Sequence, residues 1–240
     1  MLQFGGHHLA INLTMAGSEA TMAPSLPAAQ PATYTLEGRT VRPLGKENDK
    51  AFALINALND AERKQAILSY RVSDLALGPG QDGRTIQPEG IRGSVLSPAQ
   101  QTMLLDVVGE WSGIMTDAFA QPRMAEIKAN LAQTYFAWSG PLTPGSAAYF
   151  RIQGPTLVIE YAPQGGVDHI HTIYRDPAAG AQAHRRQAHR RESYRVATVA
   201  TPSPANHCDG DHHRRDRGGL RASARAGPNA GDLTRRCDRR

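Results

Sequence analysis

Residues 148–174, AYFRIQGPTLVIEYAPQGGVDHIHTIY, decide the fold class of this chain. In this stretch and just before it, four runs are typical of β-strands, because large apolar or β-branched residues recur with a period of two. Gly-Pro and Pro-Gln-Gly-Gly connections, typical of turns, separate the runs. We therefore predict an antiparallel meander of four strands, at residues 135–138, 148–153, 156–161 and 169–174.

Extended patterns also occur near the N-terminus. A half-buried strand is predicted over residues 9–16, because Leu9, Ile11, Leu13 and Met15 alternate with smaller or polar residues. Residues 34–36 and 39–41 are separated by Glu37-Gly38, which favours a tight hairpin.

Helical patterns fill the middle of the chain. Residues 46–72 predict two helices, the second capped by Asn59 or Asp60. Ser97-Pro98-Ala99-Gln100 combines an N-cap, a proline at the first helical position and a capping-box glutamine, and it predicts a third helix. Gln121-Pro122 is predicted to interrupt this region before a further short helix. Strands, helices and strands in this order predict an α+β fold.

The charge of the chain divides it into two segments. Residues 1–177 contain 13 Lys and Arg against 16 Asp and Glu, whereas residues 178–240 contain 14 against 6. We expect residues 1–177 to form a partial α+β domain and residues 178–240 to be a disordered basic tail, because the tail has too few large apolar residues to form a core.

The composition of the tail also indicates its origin. All of its basic residues are arginine, and Ala, Gly, Pro and His supply most of the rest. GC-rich DNA read out of frame encodes such a composition, so we hypothesise a frameshift near codons 176–180. The tail arginines would bind nucleic acid through phosphates without reading its sequence, and no specific nucleic-acid partner is expected.

Several classes of function find no support in the sequence. No apolar run approaches the roughly 18–20 residues of a membrane-spanning helix. The glycine-rich residues 78–83 are not followed by the Lys-Ser or Lys-Thr of a phosphate-binding loop, and the chain has no Gly-x-Ser-x-Gly elbow. Both cysteines lie in the tail, so residues 1–177 contain no cysteine nucleophile or thiolate metal site.

The histidines of residues 1–177 fall into two pairs, His7-His8 and His169-Ile170-His171. Alternate residues of a strand share a face, so His169 and His171 are expected to project together, about 6–7 Å apart. His7 and His8 are expected to point to opposite faces, which would allow at most one of them to join the other pair. Glu160, in the preceding strand, is expected to face the same side and to supply a carboxylate.

Imidazoles with one carboxylate are a ligand set for zinc, iron, manganese or copper. One hypothesis is a metal-dependent enzyme acting on an unidentified small molecule, a hydrolase rather than an oxidoreductase. In it His169 and His171, with His7 or His8, hold the ion, and Glu160 is a fourth ligand or general base. The alternative is a non-enzymatic binding or structural module in which the histidines form hydrogen bonds between strands.

A set of motifs, in order along residues 1–177, resembles a bacterial family catalogued as domain of unknown function 3500. The motifs are GHHLAIN at 6–12, QPEG at 87–90, FAWSG at 136–140, YFRIQGP at 149–155, IEY at 159–161 and HIHTIYRDP at 169–177.

The resemblance implies that related proteins begin further upstream and that many are exported. It implies that Met1 is an internal start within a longer parent, while the N-terminus itself has no signal-peptide pattern. It also implies an Asn-Asp-Tyr-Gly-like continuation after Pro177, where this chain has Ala178-Ala179-Gly180. This departure coincides with the position of the hypothesised frameshift.

Overall fold

The structure is a computed structural model that describes residues 1–17, 19–81 and 84–177. The predictions of a disordered tail and a frameshift concern residues 178–240, which lie outside the described residues. In the described part, N-terminal strands are followed by helices and then by an antiparallel meander, so the predicted α+β class is confirmed.

The strands of the described residues form a nine-stranded sheet and a separate small hairpin. The order in the large sheet is β1-β2-β4-β11-β10-β9-β8-β7, and β3 also pairs with β2. All of these named strand pairs are antiparallel. The strands are β1 Leu2–Gly5, β2 Leu9–Ala16, β3 Glu19–Thr21, β4 Ser25–Ala29, β5 Tyr34–Leu36, β6 Arg39–Val41, β7 Ile91–Arg92, β8 Tyr135–Ser139, β9 Tyr149–Gly154, β10 Leu157–Pro163 and β11 Ile170–Arg175.

The predicted hairpin is formed by β5 and β6, joined by Glu37 and Gly38. Both connecting residues have positive φ, 50° and 73°, which suits the right-handed twist of a two-residue β-hairpin.

Two of the helices begin where the capping residues predict. Asn59 and Glu62 form a capping box, in which the Asn59 side chain accepts from the Glu62 amide at 3.0 Å. Ser97 and Gln100 form a second one. The helices are α1 Gly45–Ala57, α2 Asp60–Ala66, α3 Pro98–Ser112 and α4 Asp117–Ala129, followed by a 3₁₀ turn at Leu131–Gln133.

Two helical predictions are wrong in detail. Helix α2 ends at Ala66, and Leu68 N donates to Trp138 O at 2.8 Å, because the chain after α2 runs beside the sheet. Helix α4 continues through Pro122, and the interruption lies at residues 113–116 instead. A proline removes one backbone hydrogen bond from a helix, and α4 buries Ala120 and Ile127.

One side of the sheet forms the core with helices α1 and α3. The rings of Trp138 and Phe150 are stacked with centroids 6.2 Å apart, and Phe150 stacks on Tyr161 at 5.0 Å. Phe52 of α1 meets Trp138 edge to face, and Trp111 of α3 meets Phe150 in the same way. These aromatic contacts hold the helices on this side.

The opposite side of the sheet is crossed by residues 70–78, which we call the strap. The strap has no regular strand or helix, and it is held by side chains of the sheet. Ser139 Oγ accepts from Val72 N and donates to Tyr70 O, both at 3.0 Å. Arg175 donates to Leu77 O at 2.8 Å. The strap thus covers polar side chains that would otherwise face solvent.

Strand β4 connects the N-terminal strands to the meander. It pairs with β2 on one side and with β11 on the other, so that Leu9 lies opposite Pro27 and His171 lies opposite Ala28. This strand brings the two histidine pairs of the sequence to one place.

No helix of the described residues has the length and apolar character needed to cross a membrane.

Candidate metal centre

The His7-His8 pair lies at the tip of the hairpin formed by β1 and β2. Gly6 N donates to Leu9 O at 2.7 Å, which closes a turn with the two histidines at its centre. His8 O accepts from Ala28 N at 2.8 Å and ties this turn to β4. Because Ala28 lies opposite His171 in β11, the turn sits beside the second histidine pair.

Three imidazoles meet at this point. The Nε2 atoms of His8 and His169 are 3.0 Å apart. One ring nitrogen from each of His7, His8 and His169 can be chosen so that all lie within 4.8 Å of one another. Within the described residues, this is the group of His, Cys, Asp and Glu side chains spaced to hold a metal ion.

The prediction that His7 and His8 would point to opposite faces is wrong, since their ring nitrogens belong to one group. It assumed an extended backbone, in which neighbouring side chains point to opposite faces. Both residues instead lie in a bend, and their ring centroids are 4.4 Å apart. The sequence pattern does not predict strand β1. Because β1 pairs with β2, His7 and His8 lie in the turn between these two strands.

His171 lies next to this group. Its ring centroid is 4.6 Å from that of His169 and 5.8 Å from that of His8. The described group of three spaced ring nitrogens does not include it. A role of His171 as a ligand therefore stays a prediction.

The imidazoles of the cluster influence one another electrostatically. Burial lowers the pKa of His8 below its usual range, and the charges of His7 and His169 lower it further. Burial also lowers the pKa of His171, with His169 acting in the same direction and the Asp74 carboxylate opposing it. These lowered pKa values favour the neutral form of His8 and His171, which is the form that ligation requires.

Glu160 lies on the same side of the sheet as His171. In the β10–β11 register, Ala162 is opposite His171, and Glu160 is two residues from Ala162 along β10. Residues two apart in a strand share a face.

The hydrogen bonds of the Glu160 side chain are formed with the strap and with Tyr149, and not with the histidines. Its side chain is 0% exposed. One oxygen accepts from Ala76 N at 2.8 Å and from the Tyr149 hydroxyl at 2.6 Å, and the other accepts from Leu77 N at 2.8 Å. Burial and the Glu160 charge raise the pKa of Tyr149, so its hydroxyl keeps its proton and donates. The structure places Glu160 under the strap, and its role as ligand or general base stays a prediction.

Asp74 is a carboxylate near the cluster that sequence reasoning missed. Its Oδ1 accepts from Gln164 Nε2 at 2.7 Å, and Gln164 N donates to His169 O at 2.7 Å. The strap around Asp74 has no periodicity that would have predicted its place. An acidic residue in a loop is the only sequence signal, and it is a common one.

A cavity of about 450 Å³ lies on the helix-covered side of the sheet, lined in part by Arg42, Tyr161 and Ile170. Because neighbouring residues of a strand face opposite sides, Ile170 and His171 face different sides of β11. The cavity therefore lies on the opposite side of β11 from His171.

A family model described as Protein of unknown function (DUF3500) matches residues 1–180 of the chain. No curated protein matches the chain, and no solved structure matches it.

Proposed function

The chain belongs to the DUF3500 family of proteins of unknown function, as its motifs predicted, and we propose that its histidine cluster binds a divalent transition metal ion for a hydrolytic reaction. In this proposal His7, His8 and His169 are ligands and His171 is available as a fourth imidazole. The observation that supports it is the convergence of three ring nitrogens from two distant parts of the chain within 4.8 Å.

The spacing suits a metal ion with small side-chain adjustments. Zinc binds histidine nitrogens at about 2.0–2.1 Å, which places the ligand atoms of a tetrahedral site roughly 3.3 Å apart. The His8 and His169 nitrogens are 3.0 Å apart, and the two residues directly precede β2 and β11, which both pair with β4. The backbone therefore provides the approximate geometry, and rotation of the rings provides the rest.

We propose a hydrolase because of the type of ligands and because water and a small substrate can reach the cluster. Three protein ligands leave a fourth zinc position for water, and a bound ion makes water a nucleophile near neutral pH. His7 is exposed, so the cluster opens to solvent and to a small substrate. Iron, manganese or copper would fit imidazole ligands too, and an oxidoreductase is the second enzymatic possibility.

Metal analysis of the full chain tests the proposal. The chelator-stripped protein is reconstituted with Zn²⁺, Co²⁺, Mn²⁺, Fe²⁺ or Cu²⁺, separated from free metal and analysed for metal content. We expect the wild-type chain to bind about one equivalent of at least one of these ions. The variant His8→Ala/His169→Ala should lose this bound metal. Less than about a tenth of an equivalent of every ion would overturn the proposal.

The tail supplies a matched control, since it contains another adjacent histidine pair, His212 and His213, outside the described residues. The variant His212→Ala/His213→Ala should keep the bound equivalent. Loss of metal from this variant alone would assign the binding to the tail instead.

Hydrolysis is tested with p-nitrophenyl acetate and bis(p-nitrophenyl) phosphate as probes. We expect metal-dependent turnover of one of them that is lost in His8→Ala/His169→Ala. One bound equivalent without turnover of either probe would favour the non-enzymatic alternative.

Metal affinity should depend on pH in a defined direction. The pKa values of His8 and His171 lie below the usual value near 6.5, so both rings are mainly neutral at pH 7. Protons should compete with the ion only in more acidic solution. In competition titrations with Zn²⁺, we expect protonation of His8 and His171 to contribute little between pH 7.5 and 6.5 and to lower the affinity in more acidic solution, by up to about tenfold per pH unit for each ring. If the affinity stayed unchanged down to pH 5, imidazole ligands would be excluded.

The structural alternative is supported by the 3.0 Å contact between His8 and His169, which is a hydrogen bond when one ring donates and the other accepts. If that bond is the purpose of the pair, the metal-free variant His169→Ala should lose about 1–3 kcal/mol of stability. If the pair is a metal site, the metal-free variant should unfold at nearly the wild-type temperature. Thermal unfolding in the presence of a chelator separates these outcomes.

A further inference from the structure

The strap is attached to the sheet mainly through polar contacts with side chains of the meander. Glu160 accepts from the amides of Ala76 and Leu77, both at 2.8 Å. Arg175 donates to Leu77 O and, at 3.0 Å, to Gly78 O. These contacts determine the path of the backbone directly after Asp74.

The position of Asp74 itself is set by the turn between β10 and β11. Gln164, in that turn, donates its side-chain amide to Asp74 Oδ1 at 2.7 Å and its backbone amide to His169 O at 2.7 Å. A single residue therefore links Asp74 to the backbone of a proposed ligand.

The other oxygen of Asp74 is not engaged in this way. Asp74 Oδ1 accepts from Gln164 and from Leu75 N at 2.6 Å, whereas Oδ2 accepts no hydrogen bond from the described residues. The side chain is exposed, so this oxygen is free to accept a proton donor or a cation. Its charge raises the pKa of His171, although Asp74 is not one of the three residues whose ligand atoms lie within 4.8 Å of one another.

We propose that Asp74 supplies the carboxylate of the histidine site, and that Glu160 is a positioning residue that holds Asp74 there through the strap. This inference rests on the proposed metal function. It assigns the carboxylate of the ligand set to a residue in the strap, and it gives the buried Glu160 a part that agrees with its observed contacts.

The chemical reason is charge. Neutral imidazoles do not offset the charge of a divalent ion, and a carboxylate that binds the ion or accepts from a ligating imidazole strengthens binding. Glu160 has both oxygens engaged by the strap and Tyr149, whereas Asp74 has one oxygen available.

The test compares two carboxylates. Asp74 is linked to His169 through Gln164, and Asp168 is the neighbour of His169 in sequence. Asp74→Asn removes the charge in the strap. Asp168→Asn is the matched control, because Asp168 precedes His169 but its carboxylate accepts from Ala32 N at 3.2 Å. Zn²⁺ affinity is measured by competition with a chromophoric chelator, and the Co²⁺-loaded proteins are compared by visible absorption, which reports the ligand field.

We expect Asp74→Asn to lower Zn²⁺ affinity by about 10–100-fold and to change the Co²⁺ spectrum. Asp168→Asn should change affinity by less than about threefold. If Asp74→Asn changes Zn²⁺ affinity as little as Asp168→Asn does, while the wild-type chain binds one equivalent of Zn²⁺, this inference fails and the proposed metal site remains. If the wild-type chain binds no metal, the proposed function itself fails.

The positioning role is tested with Glu160→Gln and, since that variant is in the core, with Gln164→Ala at the exposed turn. Each should lower Zn²⁺ affinity in the wild-type background but have little further effect in the Asp74→Asn background, because both act through Asp74. Fully additive effects of both in the double variants would overturn the positioning role.

Discussion

Replacing His169 with alanine is expected to lower the Zn²⁺ affinity of this chain by more than about a hundredfold. Loss of a group that only orients a ligand costs roughly 10–100-fold, and loss of a direct ligand should cost more. His169 is the strongest choice because it directly precedes β11 of the meander and its Nε2 lies 3.0 Å from that of His8. The measurement is competition for Zn²⁺ at pH 7.5.

His171→Ala is the informative comparison for this variant. His171 lies beside the cluster, with its ring centroid 4.6 Å from that of His169. A loss as large as that of His169→Ala would make His171 a ligand, and a loss below about tenfold would make it a neighbour. Unchanged affinity in His169→Ala, with the fold confirmed by circular dichroism, would exclude the proposed ligand set.

Replacing Glu160 with alanine is expected to lower the free energy of unfolding by about 3–5 kcal/mol, because it breaks a buried hydrogen-bond network. The substitution removes the acceptor for two amides of the strap and for the Tyr149 hydroxyl, and a buried unsatisfied donor costs about 1–3 kcal/mol. Relief of the buried charge offsets part of this cost. Urea unfolding of the metal-free protein measures the difference.

Glu126→Ala is the control for the Glu160 prediction. Glu126 has a side chain that is 44% exposed and forms an ion pair with Arg123, which also pairs with Asp176. Exposed ion pairs contribute about 0–1 kcal/mol, so the change should be small. If Glu160→Ala were as mild as Glu126→Ala, the strap would not depend on Glu160.

The two Glu160 variants answer different questions. Alanine removes all three hydrogen bonds and reports how much the strap contributes to stability. Glutamine keeps the shape and one acceptor oxygen, so it reports whether the strap influences the metal site in a chain that remains folded.

Local chemistry in the sequence was sufficient to predict most of the fold. The meander β8–β11, strand β2 and the hairpin of β5 and β6 follow from a period of two and from turn residues. The starts of α2 and α3 follow from Asn59 and Ser97, whose side chains satisfy amides at the helix N-termini. Each of these signals lies within a few residues of the structure that it predicts.

The strands that the sequence did not predict are stabilised by their neighbours. Strand β4, with the sequence Ser-Leu-Pro-Ala-Ala, contains a proline that argues against a central strand. It nevertheless lies between β2 and β11, and Thr172 donates to Pro27 O at 2.7 Å. Strand β7 has two residues and exists through its pairing with β8. Such partners are distant in sequence, so no local pattern reports them.

The same distinction between local sequence and tertiary structure applies to the candidate site. The sequence determined its chemistry, since residues 1–177 contain four histidines in two pairs and no cysteine. Only the tertiary structure decided its composition: β1 turns His7 and His8 to the same place, β4 brings them to His169, and the strap brings Asp74 and engages Glu160. The physical reason is that side-chain type is a property of one residue. Proximity between residues more than a hundred positions apart depends on which strands pair.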